Sequence, residues 1–108
     1  NNYMDYFIFQ TYIQNMDWLG IAWGLNNVKL WRPDTTGGKW RYVLYDTDAA
    51  FGYFGQNIYD NYLNYARYPN VPNEHASIFH RSLLNDEFKC QFIPMEFKWV
   101  DGLTKSEE

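Results

Sequence analysis

The stretch Asn27-Val-Lys-Leu-Trp-Arg-Pro-Asp-Thr-Thr-Gly-Gly-Lys-Trp-Arg-Tyr-Val-Leu-Tyr-Asp46 decides how this chain folds. Two runs rich in aromatic and β-branched residues, Asn27–Arg32 and Lys39–Tyr45, flank Pro33-Asp-Thr-Thr-Gly-Gly38. A Pro/Asp/Gly cluster between two such runs is a turn, so the reading is a β-hairpin. Pairing Arg32 with Lys39 would set Asn26 and Asn27 across from Tyr45 and Leu44. Either Asn then comes within a residue or two of Asp46.

Working outward, Tyr6, Phe9, Ile13 and Met16 recur at helical spacing, which predicts a helix over Asn2–Met16. Phe7, Ile8 and Tyr12 widen its stripe, so it should be buried on most sides. Asn2 is the expected N-cap, Asp5 suits the first turn, and the helix should end near Asn15. Residues 17–26 read as an irregular aromatic-rich loop. Residues 47–74, rich in Gly, Asn, Tyr and Pro, read as an ordered loop with a short helical piece. A helix from His75 to Leu84 should turn Ile78 and Phe79 inward. Asn85 should cap another, with Phe88 and Phe92 at an i,i+4 spacing, until Pro94 stops or kinks it. The tail from Leu103 to Glu108 reads as solvated. The fold class is α+β, with a buried N-terminal helix, a central hairpin and C-terminal helices.

The chain has 108 residues, enough for at most one domain, and a formal net charge of −4. That balance argues against a general grip on nucleic acid. Aromatic residues make up 21% of the chain while mean hydropathy is only −0.56. Large rings can fill a core at this length, and their polar tips suit wet clefts. No apolar run is long enough to span a membrane. A single Cys90 excludes an internal disulfide framework. The abrupt start at Asn1, straight into a helical pattern, is what an internal piece of a longer protein looks like.

Two acidic motifs flank the hairpin: Asn15-Met16-Asp17 and Tyr45-Asp46-Thr47-Asp48, the latter followed by Phe51-Gly52. In protein kinases a catalytic Asp precedes an Asn, a hairpin, and a metal-binding Asp followed by Phe-Gly. A hairpin brings its two ends together, so Asn and the second Asp meet, and their oxygens suit Mg²⁺. The first Asp lies nearby to orient or deprotonate a hydroxyl. In this chain Asn27 follows Asp17 by ten positions, and four residues lie between Asp46 and Phe51-Gly52, longer intervals than in ordinary protein kinases.

In this order and spacing the sequence resembles the CotH-type kinases, named for a spore-coat protein. The matching elements are Tyr12-Ile-Gln-Asn-Met-Asp17, Asn27-Val-Lys-Leu-Trp31, Trp40-Arg-Tyr-Val-Leu-Tyr-Asp-Thr-Asp-Ala-Ala-Phe-Gly52, and Ser77-Ile-Phe-His-Arg-Ser-Leu-Leu-Asn-Asp-Glu-Phe88. Together they cover about residues 1–93; Lys98-Trp-Val-Asp-Gly-Leu103 does not look like the family. The resemblance implies a partial kinase domain over residues 1–108, a C-lobe-like fragment whose N-terminal nucleotide lobe is missing. It implies ATP and Mg²⁺ as cofactors and protein Ser/Thr hydroxyls as acceptors. It also implies an extracellular, spore-coat or cell-surface setting. Asp17 would be the catalytic aspartate and Asp46 a metal ligand. Asn27 would be the second ligand, with adjacent Asn26 as competitor.

Plainer roles stand beside these. Asp17 could cap a helix, and Thr47-Asp48 could simply shape a turn. His75 and His80, five apart, fall on different helix faces and do not suggest a metal pair. Cys90 reads as a small buried residue. Trp18, Trp23, Trp31 and Trp40 read as core or cleft walls. Lys29, Arg32, Lys39 and Arg41 read as ordinary solvated hairpin charges. Two rival functions follow from the same residues: a carbohydrate-binding or adhesive module using aromatics and Ca²⁺, and a glycoside hydrolase with Asp17 and Asp46 as its acid pair.

Overall fold

A computed structural model describes residues 1–95. The order is α1 (Asn2–Tyr12), β1 (Lys29–Trp31), β2 (Arg41–Val43), α2 (Tyr62–Arg67) and α3 (Glu74–Leu84). A further helix, α4, covers residues 86–95. The two strands form one antiparallel hairpin, so the class is α+β as expected.

The abundance of Asn has a structural reason. Each helix opens on an Asn whose side chain accepts a backbone N–H: Asn1 from Tyr3, Asn61 from Asn64, Asn73 from Ala76, and Asn85 from Phe88. Such caps satisfy donors that a helix start leaves orphaned. The α1 cap is therefore Asn1, not Asn2. Asn2 is otherwise engaged: its amide accepts from Tyr42 N at 2.8 Å and donates to Tyr42 O at 3.1 Å, sealing the outer edge of β2.

Helix α1 is shorter than its apolar period. Gln14 takes φ +55°, the left-handed position that ends many helices, and the chain turns away after Ile13. Asn15-Met16-Asp17 thus lies in the loop beyond the helix. The burial of α1 on most sides holds: Met4, Tyr6, Phe7, Ile8, Gln10 and Thr11 are all buried.

Aromatic rings build the core. Phe7 stacks on Phe79 with centroids 4.2 Å apart, and Phe79 meets Phe92 edge-on. Trp18 packs edge-on against Tyr6 and Phe7, and its Nε1–H donates to the Tyr6 hydroxyl at 2.7 Å. Tyr42 of β2 lies on Tyr6, joining the hairpin to α1. Gly20 (φ +76°) closes the opposite side. Val71 N donates to its carbonyl at 3.0 Å, and a Cβ on Gly20 would stand 2.7 Å from the Val71 carbonyl oxygen. No larger residue allows that approach.

Burial pushes the Tyr6 hydroxyl from 10.0 up to about 12. Between those values the folded chain keeps a proton that the unfolded chain releases, so stability falls as pH rises. We expect the urea midpoint to drop steadily between pH 10 and about 12, with Tyr6→Phe flattening that slope. A slope unchanged by Tyr6→Phe would refute this account.

Several expectations are corrected by the packing. The ladder pairs Lys29 with Val43, Leu30 with Tyr42 and Trp31 with Arg41, one residue away from the Arg32–Lys39 register. A one-residue slip exchanges the faces of a strand, and this register is the one that turns Tyr42 onto α1. The inward stripe of α3 is Ala76, Phe79 and Leu83, which leaves Ile78 54% exposed. Pro94 does not end α4, which stays helical through residue 95. One lost backbone bond weighs less there than burying Phe92 against Phe79 and Phe88. Cys90 is exposed. Trp18 is fully buried, whereas Trp23, Trp31 and Trp40 are 45%, 57% and 62% exposed. The tail from Leu103 lies outside the described residues.

Candidate active site

Asp17 is held by its neighbours on every side. Asn15, fully buried, accepts from Asp17 N at 3.2 Å, while its own amide donates to Gln10 Oε1 at 2.9 Å. Trp18 pegs the following residue into the core. Asn26 Nδ2 then donates to Asp17 Oδ1 at 3.0 Å, and Asn27 Nδ2 to Asp17 Oδ2 at 3.1 Å. Asn27 also donates to the Asp17 carbonyl at 2.8 Å. Each carboxylate oxygen therefore has one amide donor and keeps lone-pair capacity for another. The ten-residue interval from Asp17 to Asn27 is a loop that returns on itself.

Both partners of Asn27 Nδ2 are acceptors, so its amide must present NH₂ to Asp17 and leave Oδ1 facing away. That oxygen accepts no hydrogen bond among the described residues, which leaves it free to meet a cation. Asn27 (φ +57°) and Asp46 (φ +51°) both adopt left-handed backbone, which short polar side chains tolerate best. Carried past the ladder, the observed register would set Asn26 against Asp46. The left-handed turns at the hairpin's open end redirect both Asn side chains to Asp17 instead.

Asp46 is exposed, and its carboxyl is raised above the ordinary 3.8. The foremost cause is the neighbouring Asp48 side chain, followed by desolvation and by the negative charges of Asp48 and Asp17. The Asp48 backbone N–H opposes the rise. Asp17 and Asp46 thus lie within one another's field. Asp48 is more than a turn-shaping residue: it is the group that presses on Asp46.

The segment after Asp46 is tied back to Asp17's loop. Met16 N donates to Ala49 O, Phe51 N to Ile13 O, and Gln56 Nε2 to both Gln14 O and Ala49 O. Gln56 escapes sequence reasoning, since nothing local marks one amide in a polar loop as a staple. Asn15 and Gln10 were missed as well. The Asn-x-Asp motif was the available signal for Asn15. A groove of about 500 Å³ is lined by Tyr12, Gln14, Phe51 and Tyr62 among others, and Asp17 and Asp46 are not in its wall.

The chain matches the family model described as CotH kinase protein over residues 1–100. It belongs to that family. The CotH match reaches beyond Pro94 and takes in Lys98-Trp99-Val100, which the sequence reading had placed outside it. Neither the curated proteins nor the solved structures returned a match.

What the CotH site could hold follows from its donors. Carboxylate and amide oxygens are hard ligands of the kind Mg²⁺ takes. Among the described residues no group of three or more His, Cys, Asp or Glu side chains forms a metal cage. Any cation here would be shared with waters or phosphate oxygens, which is the usual habit of Mg²⁺.

Because the raised Asp46 retains its proton to higher pH, metal affinity should weaken as pH falls toward that raised value. Asp48→Asn removes the competing acid. Its Asp46 carboxyl ¹³C shift should titrate closer to the ordinary 3.8 than in the parent chain. An Asp46 titration indifferent to Asp48→Asn would contradict that cause.

Proposed function

We propose that this chain is the catalytic and metal-binding part of an atypical protein kinase domain. In that reading it transfers the γ-phosphoryl group of ATP, with Mg²⁺, to Ser or Thr hydroxyls of a protein. The observation that carries this is Asp17, clamped by Asn26 and Asn27, lying in the field of Asp46 at the open end of one hairpin. Family membership weighs against the lectin and glycosidase readings, for which no specific observation speaks.

In the proposed reaction the acceptor oxygen bonds to the γ-phosphorus while the bond from that phosphorus to the ADP oxygen breaks. Asp17 orients the hydroxyl and receives its proton. Asp46 and the free Oδ1 of Asn27 would hold the metal, which neutralises phosphate charge when bound. The 108 residues contain no Gly-x-Gly-x-x-Gly loop. We therefore place the nucleotide-covering lobe outside them and expect the isolated chain to bind metal without efficient transfer.

The test is Mn²⁺ binding, followed by water-proton relaxation. Asp46→Asn should weaken it by at least about tenfold, since losing even an outer-shell partner costs 10–100-fold. Asp17→Asn should change it much less. Equal Mn²⁺ affinity in Asp46→Asn and the parent chain would overturn the metal assignment. Robust Mg²⁺-dependent phosphorylation by the isolated chain would overturn the domain assignment.

A further inference from the structure

The hairpin carries a charge opposite to that of the chain. Lys29, Arg32, Lys39 and Arg41 against Asp34 leave it at +3, within a total of −4, so the remainder stands at −7. Among the described residues none of these four cations is in an ion pair with a carboxylate. Two sit over rings instead: Arg32 over Trp40 at 5.1 Å, and Lys29 over Tyr45 at 4.9 Å.

The observed register sorts these groups by face. Leu30 and Tyr42 share the inner face toward α1. Lys29 pairs with Val43, and Trp31 with Arg41, on the outer face. That outer face alternates cations with apolar groups and holds no acid. Beside it a depression of about 490 Å³ lies between Trp31, Lys39, Arg41 and the turn at Thr35–Gly38. Trp31 is more than half exposed on this face at the turn end, whereas Trp40 alternates with Tyr42 and falls on the opposite side, beside Leu30.

We infer that this hairpin face docks on an anionic phospholipid bilayer. Rings with an apolar body and a polar tip, set among Lys and Arg, suit the headgroup boundary. Unpaired cations add attraction to acidic headgroups. The asymmetry between hairpin and remainder would orient the chain, turning the hairpin toward the surface and the acids away. None of the described helices is long and apolar enough to cross a membrane. Nucleic acid is the poorer fit, because the cations already cover ring faces that bases would stack on. Asp17 and Asp46 lie at the other end of the hairpin, so attachment leaves them clear. The inference stands independently of the kinase reading.

The experiment is co-sedimentation of the 108-residue chain with vesicles of phosphatidylcholine alone or mixed with phosphatidylserine. Binding should require phosphatidylserine and disappear near 1 M salt, where screening shrinks to about 3 Å. Lys39→Glu with Arg41→Glu should reduce it by more than about tenfold. Brominated lipid should quench tryptophan fluorescence, and Trp31→Phe should remove that quenching in a chain that still folds, while Trp40→Phe, on the opposite side, should leave it. Equal binding to both vesicle types, unaltered binding by the charge-reversed variant, or quenching that survives Trp31→Phe would overturn the inference. So would displacement from vesicles by polyglutamate or a single-stranded oligonucleotide at a lower concentration of anionic groups than the lipid presents.

Discussion

Asp17→Asn should lower phosphoryl transfer by about two to four orders of magnitude, the range a positioned general base supplies. The substitution keeps the size of the side chain but replaces one acceptor oxygen with an NH₂ group. That NH₂ would face the amide of Asn26 or Asn27, donor against donor, where each now donates to a carboxylate oxygen. The clamp loosens and the proton acceptor is gone. Nucleotide and metal affinity should change little, because Asp46 and Asn27 Oδ1 supply the proposed metal ligands. The measurement is kcat and Mg·ATP affinity in the intact protein that carries this segment. A parallel fall in both would mean Asp17 binds metal instead, and an unchanged kcat would remove it from the chemistry.

Trp18→Ala should cost about 3–5 kcal/mol, the range for emptying a buried large aromatic site. A chain of this length holds on the order of 5–15 kcal/mol in all. Trp18 is fully buried, touches both Tyr6 and Phe7, and satisfies the Tyr6 hydroxyl at 2.7 Å. Removing it opens a cavity and orphans a buried polar group together. In thermal unfolding the midpoint should fall by roughly 15 °C or more. Trp18→Phe, which keeps a ring but gives up the N–H donor and part of the indole's volume, should cost less than full truncation. The position also matters for function, because Trp18 anchors the residue next to Asp17. A loss for Trp18→Ala no larger than that for Trp18→Phe would show the cavity to be relieved by repacking.

Much of this architecture was legible from residue spacing. The 3.6-residue period of Tyr6, Phe9, Ile13 and Met16 announced α1, and Pro33–Gly38 announced the hairpin turn. Asn85 announced the cap of α4. The period could not say where α1 stops. Met16 continues the pattern, yet the chain leaves the helix after Ile13, because Asn15 is drawn into the core to meet Gln10. Cys90 and Ile78 differ from expectation for one reason: hydrophobicity says a side chain could be buried, and only packing decides whether a neighbour covers it.

The order Asp17, Asn27, Asp46 around a hairpin is a property of the sequence alone, and so is the family it points to. The hairpin's register is not, because six turn residues allow more than one pairing and only Tyr42 docking on Tyr6 selects among them. Nor could spacing show that Asn26 and Asn27 both turn to Asp17, since that rests on left-handed backbone at Asn27 and Asp46. The press of Asp48 on Asp46 has the same origin: charges interact through space, at distances that only the folded chain sets.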